Sequence, residues 1–356
     1  MSKVLMKGNQ AIAKAAVLAG CDAFFGYPIT PQNEIPEYLS KYLHDEGRIF
    51  VQAESEVAAI NMVYGAAGAG ARVMTSSSSV GIALKQEGIS YLAGAELPCV
   101  IVSVMRGGPG LGGIQPSQAD YYQATRGGGN GDYHVIVFAP ETIQETVDLM
   151  KQSFDIADTY RNPVMILADG LIGQMMESVD MDKPVKKRHI EPKTYASIGS
   201  DYHEGRNIIT SVALDPVLLE KHNISLQAKY KEVIKHETAY EMVNMENADY
   251  VIVAYGTSAR ISRSAIEALE EKGIKVGLIR PISLWPYPKK AFDLIPKTCK
   301  GLLVVEMSMG QMLDDVLISN KGRHKVAFYG RCGGVVPEPE EIVDAILNFD
   351  DKVVEA

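Results

Sequence analysis

The chain has few of the residues that build metal or redox centres. Its four cysteines, Cys21, Cys99, Cys299 and Cys332, stand singly and form no C-x-x-C pair. Zinc ribbons, thioredoxin-type dithiols and cysteine-ligated iron–sulfur clusters all need such spacing. Any one-electron carrier in this system is therefore expected on another chain. The seven histidines are scattered, with no metal-ligand spacing, so no metal site is expected here. No stretch approaches the ~18 uninterrupted apolar residues of a membrane helix, and MSKVLMKGNQ has no apolar signal core. A cytoplasmic chain with no membrane partner is expected. Basic charge is in deficit, 35 Lys and Arg against 44 Asp and Glu, a net −9. That balance argues against a nucleic-acid partner, since such proteins usually carry a basic face.

What the chain does have is α/β grammar. At 356 residues, 46% apolar and 22% charged, it reads as an ordinary soluble protein of two domains. Residues 1–185 alternate helical and strand patterns. Asn9 to Ala19 is an Ala-rich helix stopped by Gly20, and Ala23 to Phe25 is a short buried strand. Pro31 falls where a helix running to Leu43 would take proline in its first turn. Continuous apolar runs at Val100–Val104, Val135–Phe138 and Val164–Ala168 suit strands covered on both faces, with a helix over Thr142–Ala157 between them. Residues 186–247 lose the pattern and read as a connecting segment with a partly helical arm over Val217–Val243; Lys186-Lys187-Arg188 reads as solvated linker. From 248 to 356 the alternation restarts. It predicts strands at Tyr250–Ala254, Lys275–Ile279, Gly301–Glu306 and Lys325–Phe328, with helices at Ser258–Lys272 and Pro339–Leu347.

Four segments lie at the C-terminal ends of predicted strands, where open α/β sheets place ligands. In Gly26-Tyr27-Pro28-Ile29-Thr30-Pro31, two prolines restrain the backbone around Thr30; a plain helix cap explains that hydroxyl as readily as a ligand does. Glu56 follows an apolar strand and opens a helix almost free of charge up to Arg72. The helix dipole alone accounts for a glutamate there, but a carboxylate so placed is partly buried and needs a partner. Thr75-Ser76-Ser77-Ser78-Ser79-Val80-Gly81 is either a capped turn or an anion cradle. Arg106 precedes the loop GGPGLGG, which is neither a Walker A loop nor a dinucleotide fingerprint. A lone arginine in that position suits bidentate pairing with a carboxylate ligand. His134, after a glycine-rich stretch, reads as structural.

Taken together, GYPITPQNEIPEYL (26–39), QAESEVAAINMVYGAAGAGARVMTSSSSVG (52–81), VSVMRGGPGLGG (102–113), ADYVIVAYGTSA (248–259) and IRPISLWPYP (279–288) resemble the alpha subunits of 2-oxoacid:ferredoxin oxidoreductases. The resemblance spans nearly the whole chain. It implies a pyrimidine-binding domain of the thiamine-diphosphate fold followed by a transketolase C-terminal-like domain. It places the pyrimidine-contacting glutamate on Glu56 rather than Glu54 and the 2-oxoacid on Thr30 and Arg106. Pro28, Ile29 and Ser78 join Glu56 in holding the cofactor. The implied reaction is oxidative decarboxylation of a 2-oxoacid to an acyl-CoA, with reduction of ferredoxin.

The chain departs from thiamine enzymes in lacking the GDG…N motif that holds diphosphate and magnesium; Gly131-Asp132 and Asp169-Gly170 are fragments without its context. Thiamine diphosphate is then shared with a beta subunit at an interface. Mg2+ and [4Fe-4S] clusters are expected on partner chains only, namely the beta and ferredoxin-like delta subunits, with a gamma subunit also usual. The stretch around QADYYQATRGGGNGDYH looks more like subunits named for branched-chain acids such as 2-oxoisovalerate than those named for 2-oxoglutarate. A non-redox transketolase-type subunit, or a non-catalytic protein that has kept the fold, are the readings from other classes.

Overall fold

The computed structural model describes residues 3–199 and 207–354. Strand and helix alternate through β1 (Val4–Lys7), α1 (Gly8–Leu18), β2 (Ala23–Gly26), α2 (Glu34–Asp45), β3 (Ile49–Gln52), α3 (Glu56–Gly68), β4 (Val73–Ser77), α4 (Ser79–Gly94) and β5 (Cys99–Met105). After a glycine-rich loop come α5 (Tyr121–Thr125), β6 (Ile136–Phe138), α6 (Ile143–Tyr160), β7 (Pro163–Asp169), α7 (Gly170–Gln174) and β8 (Met176–Val179). Every residue of β5 and of β7 is buried. Helices cover both faces of these strands, which is why their sequences run apolar without alternation.

The second half holds α8 (Pro216–Glu237), β9 (Tyr240–Val243), β10 (Tyr250–Val253), α9 (Gly256–Glu271), β11 (Val276–Pro281) and β12 (Ser283–Trp285). It closes with β13 (Gly301–Glu306), α10 (Gln311–Asn320), β14 (Lys325–Gly330) and α11 (Pro339–Leu347). One sheet runs β12-β6-β7-β5-β4-β2-β3 and is parallel except for β12; the other runs β14-β13-β10-β11-β9 and is parallel except for β9. β12 thus leaves its sequence neighbours to edge the first sheet, and β1 and β8 pair in a separate antiparallel ribbon. These strands are too short to carry a readable period.

Two features set the geometry of the site. First, α3 and α4 lie close because glycines of α4 face side chains of α3: a Cβ at Gly88 would come within 2.6 Å of the Ile60 side chain. Second, the halves are clamped together. Gln118, just after the glycine loop, donates to the Tyr255 carbonyl at 2.8 Å and accepts from Ser258 Oγ at 2.7 Å and Met307 N–H at 2.9 Å. The buried Arg280 grips both Glu145 oxygens at 2.9 Å and Glu241 at 2.8 Å.

Two sequence expectations change. α2 starts at Glu34, three residues after Pro31, because the Pro31 carbonyl is taken by side-chain donors, Asn9 Nδ2 at 2.8 Å and Gln174 Nε2 at 3.1 Å. Arg188 is not solvated linker: both its terminal nitrogens donate to Glu237 at 2.7 Å, and Tyr160 donates to the same carboxylate at 2.6 Å. The pair fastens the end of α8 to α6, while Lys186 and Lys187 stay exposed.

Candidate cofactor and substrate site

Because β3, β2, β4 and β5 are parallel neighbours, the loops that follow them leave the same sheet edge. The four segments singled out above therefore converge, although they lie up to eighty residues apart in sequence.

Glu56 is the first residue of α3 and is 6% exposed, whereas Glu54 is exposed. Ser55 caps the helix by accepting from Ala58 N–H at 3.2 Å, so the chain turns Glu56 inward in a fixed direction. On α4 opposite, a Cβ at Gly81 would lie 2.6 Å from Glu56 Oε1 and 2.1 Å from Ser77 Oγ. Only a glycine leaves room for both groups. Ser78 is the N-cap residue of α4, yet its hydroxyl makes no cap bond. The buried hydroxyls of Ser77 and Ser78 and the buried Nε of Arg106 have no hydrogen-bond partner among the described residues. Each such atom costs about 1–3 kcal/mol, a cost that a polar ligand removes.

Arg106 and Thr30 also meet. Arg106 Nη1 donates to the Thr30 carbonyl at 3.0 Å and Nη2 to the Leu111 carbonyl at 2.9 Å, leaving Nε free. The arginine thus ties the Thr30 turn to the glycine loop. That loop needs glycine at Gly112, where φ is +57° and a Cβ would strike the Gly107 carbonyl at 1.8 Å. Thr30 Oγ1 accepts only a long bond, 3.4 Å, from Asn33. Pro28 is exposed and Ile29 half-buried, at the rim of the same turn.

Three further residues escape a sequence reading. Asp120 accepts from Ser79 Oγ, which in turn accepts from Arg106 N–H at 3.0 Å. Burial pushes the Asp120 carboxyl up, and Ser79 and Arg106 partly offset it. Gln32 is buried and accepts from Ser76 Oγ at 2.5 Å. Lys85 is wholly buried on α4. It stands one turn after Gly81, on the helix face that Glu56 borders. His134 stays outside the group, stacked on Trp285 at 4.3 Å and edge-on to Tyr230 at 5.3 Å. Beside Thr30 opens a cleft of about 520 Å³, walled by Pro31, Ile114, Pro116, Leu171 and Val336, with Glu34 as its charged residue.

Residues 14–248 match the family described as pyruvate flavodoxin/ferredoxin oxidoreductase, thiamine-diphosphate-binding, and 248–342 match pyruvate:ferredoxin oxidoreductase core domain II. The chain belongs to the 2-oxoacid:ferredoxin oxidoreductases. Among its relatives, a ketoisovalerate oxidoreductase subunit, VorB, of Methanothermobacter marburgensis is 49% identical over 98% of each chain. A 2-oxoglutarate synthase subunit, KorA, of Methanocaldococcus jannaschii is 36% identical over 98% of this chain and 100% of its own. A solved 2-oxoglutarate:ferredoxin oxidoreductase from Magnetococcus marinus, with 2-oxoglutarate, coenzyme A and succinyl-CoA bound, superposes with a TM-score of 0.87 at 28% identity. It covers 98% of this chain, which spans 65% of that longer one. A split-gene transketolase matches at 15% identity with a TM-score of 0.61, a likeness of fold alone, over 96% of this chain and 97% of its own.

This oxidoreductase subunit therefore has the thiamine-diphosphate-binding α/β fold with the transketolase-like C-terminal layer that its motifs implied. Among the described residues, no group of three or more His, Cys, Asp or Glu side chains is arranged to hold a metal ion. No described helix is long and apolar enough to cross a membrane.

Proposed function

We propose that the chain is the alpha subunit that supplies the pyrimidine half of a thiamine diphosphate site in a complex that oxidatively decarboxylates branched-chain 2-oxoacids, 2-oxoisovalerate first. The products are an acyl-CoA and carbon dioxide, and the electrons pass singly to ferredoxin. The observation that carries the reading is the cradle of Glu56, Ser77, Ser78 and Gly81: a buried carboxylate beside unpartnered hydroxyls, held open by a glycine. This donor set fits an aminopyrimidine, whose ring nitrogen bonds a carboxylate and whose exocyclic nitrogen seeks acceptors. When bound, thiamine diphosphate supplies the carbon nucleophile and electron sink for decarboxylation.

The chain's own residues do the rest. Glu56 is the catalytic carboxylate and orients the pyrimidine; Ser78, Pro28 and Ile29 line its ring. Arg106 Nε and the Thr30 hydroxyl bind the substrate carboxylate, with the guanidinium already aimed by its two carbonyl bonds. In the same reading, residues 1–185 carry the site, 186–247 connect, and 248–356 close the cleft through Val336. Diphosphate, Mg2+ and [4Fe-4S] clusters reside on a beta subunit and a ferredoxin-like delta subunit, and a gamma subunit completes the complex.

The cleft beside Thr30 supports the branched-chain substrate. Pro31, Ile114, Pro116, Leu171 and Val336 give it an apolar side, Asn33, Gln115 and Gln174 add neutral polar groups, and its charged residue is an acid. Burial works to raise the Glu34 carboxyl, but hydrogen bonds from Asn9, its own N–H, Gln174 and Lys7 hold it below the usual range. An ionised Glu34 repels the second carboxylate of 2-oxoglutarate and leaves an isopropyl group untouched. The 2-oxoglutarate reading is the second one, favoured by the KorA-type relatives.

Reduction of a viologen dye by the complex purified with its native partners, in coenzyme A, tests the proposal. Preference for 2-oxoisovalerate over 2-oxoglutarate and pyruvate is expected. Preference for another acid discards the substrate. No reduction with any acid, from a complex retaining iron and thiamine diphosphate, discards the function.

A further inference from the structure

Lys85 is wholly buried in the middle of α4. An ammonium taken out of water needs compensation, and its surroundings say what compensates it. Its Nζ donates to Thr75 Oγ1 at 2.6 Å and to the Ser76 carbonyl at 3.2 Å, both on β4. These neutral acceptors leave one N–H and the charge unmatched.

A carboxylate borders the same helix one turn earlier, where Glu56 Oε1 lies against Gly81. Burial pushes the Lys85 amine down to about 7, and the Glu56 carboxylate is the largest influence in the opposite direction, ahead of Cys99. Burial pushes the Cys99 thiol up to about 12, so it carries no charge at neutral pH. Lys85 thus sees a carboxylate from α3, a neutral thiol from β5 and hydroxyl and carbonyl oxygens from β4. Gly81 and Lys85 are one turn apart on the same face of α4. That face offers Glu56 first an open space and then a cation, while the hydroxyl strand leading to Ser77 and Ser78 is anchored by the same ammonium.

We propose that Lys85 is a positioning residue of the cofactor site, a buried counter-charge that holds the Glu56 carboxylate and the Thr75–Ser78 strand in place for a pyrimidine ring. It touches neither cofactor nor substrate. Its effect passes through Glu56, so the proposal rests on the role given to Glu56 above.

The test uses the complex with its native partners, stripped of cofactor and titrated with thiamine diphosphate by fluorescence quenching. Dye reduction is then followed against pH. Lys85→Met removes the charge and the bonds; Lys85→Gln keeps a donor for Thr75 and removes only the charge. Both are expected to weaken thiamine diphosphate binding about tenfold and to move the acid limb of turnover up by about one pH unit, the equivalent of one another. KM for the 2-oxoacid is expected to change less than ~2-fold. In an E56Q background, K85M is expected to add less than ~2-fold, because residues that act through one another are not additive.

Normal binding and pH profile in K85Q would reduce Lys85 to a hydrogen-bonding strut. An equal loss from K85M in both backgrounds overturns the proposal as well. If E56Q itself binds cofactor and turns over like wild type, the reading of the site fails, a result distinct from failure of Lys85 alone. If neither Lys85 variant assembles, E56Q decides the matter by itself. Removing the carboxylate leaves the Lys85 charge unmatched, so the thermal stability lost by E56Q must grow as pH falls from about 8 to about 6. A loss independent of pH overturns the coupling.

Discussion

Gly81→Ala asks the most of the proposed site with the least change in the chain. The added methyl carbon would sit 2.1 Å from Ser77 Oγ and 2.6 Å from Glu56 Oε1. Non-bonded carbon and oxygen settle near ~3.3 Å, so the carboxylate must retreat by roughly 0.7 Å and the serine by more. Stability should change little. Alanine gains about 0.5–1 kcal/mol over glycine in a helix interior, and overpacking costs about 1–3 kcal/mol. The site should suffer far more, since a displacement approaching ~1 Å can cost ~10² in rate. The expected result is a complex that assembles, a melting temperature within a few degrees of wild type, and turnover and thiamine diphosphate affinity both down by ~10² or close to it. Ser77→Ala in the same chain relieves the nearer clash but not the one with Glu56, so it should restore only part of the loss. Differential scanning fluorimetry, cofactor titration and dye reduction on the three complexes read this out. If G81A binds cofactor and turns over normally, Glu56 and Ser77 do not form the pyrimidine cradle.

Glu56→Gln should lower turnover by at least ~10² in dye reduction while the complex still assembles, the scale of a lost acid–base function. Arg106→Ala should raise KM for the 2-oxoacid about tenfold, and because Nη2 holds the Leu111 carbonyl, limited proteolysis should cut the 107–115 loop faster. An unchanged KM counts against the carboxylate contact. Glu34→Gln should improve kcat/KM for 2-oxoglutarate relative to 2-oxoisovalerate by several-fold, ~1 kcal/mol of relieved repulsion; an unchanged ratio moves the acyl pocket elsewhere. Burial pushes the Glu306 carboxyl up to about 7, against donation from the Met312 N–H, the Ser308 hydroxyl and the Leu313 N–H. A carboxyl raised in the folded state contributes stability that is full below its unfolded value, about 4.3, and is lost as pH rises through about 7. Thermal melts from pH 5 to pH 8 should therefore fall in wild type and fall less in Glu306→Gln.

Much of the fold was legible because it is built from local patterns. The apolar runs at β5 and β7 are readable since both faces of those strands are covered, so burial needs no partner to be inferred. Helix ends such as that of α1 are marked by residues next in sequence, here Gly20. The start of α2 is not readable locally because the donor that holds Pro31 out of the helix, Asn9, lies 22 residues away. The pairing of Arg188 is hidden for the same reason: its partner Glu237 lies on another element. β12 carries no local signal because its edge position depends on where β6 stands in the folded chain.

Residue order alone shows an α/β protein with ligand loops at strand ends and marks Glu56, Thr30 and Arg106 as its chemical candidates. It also shows that cluster-ligand spacing and the diphosphate motif are missing from the chain. Only the folded chain decides that Gly81 leaves room for Glu56, that Arg106 is bound by two carbonyls, that Asp120 meets Ser79, and that Lys85 is buried against β4. The division has one physical cause. Periodicity and turn chemistry report each residue's surroundings within a turn or two of its own element. Which side chain arrives from across the sheet is decided by the register of strands brought together from distant parts of the chain.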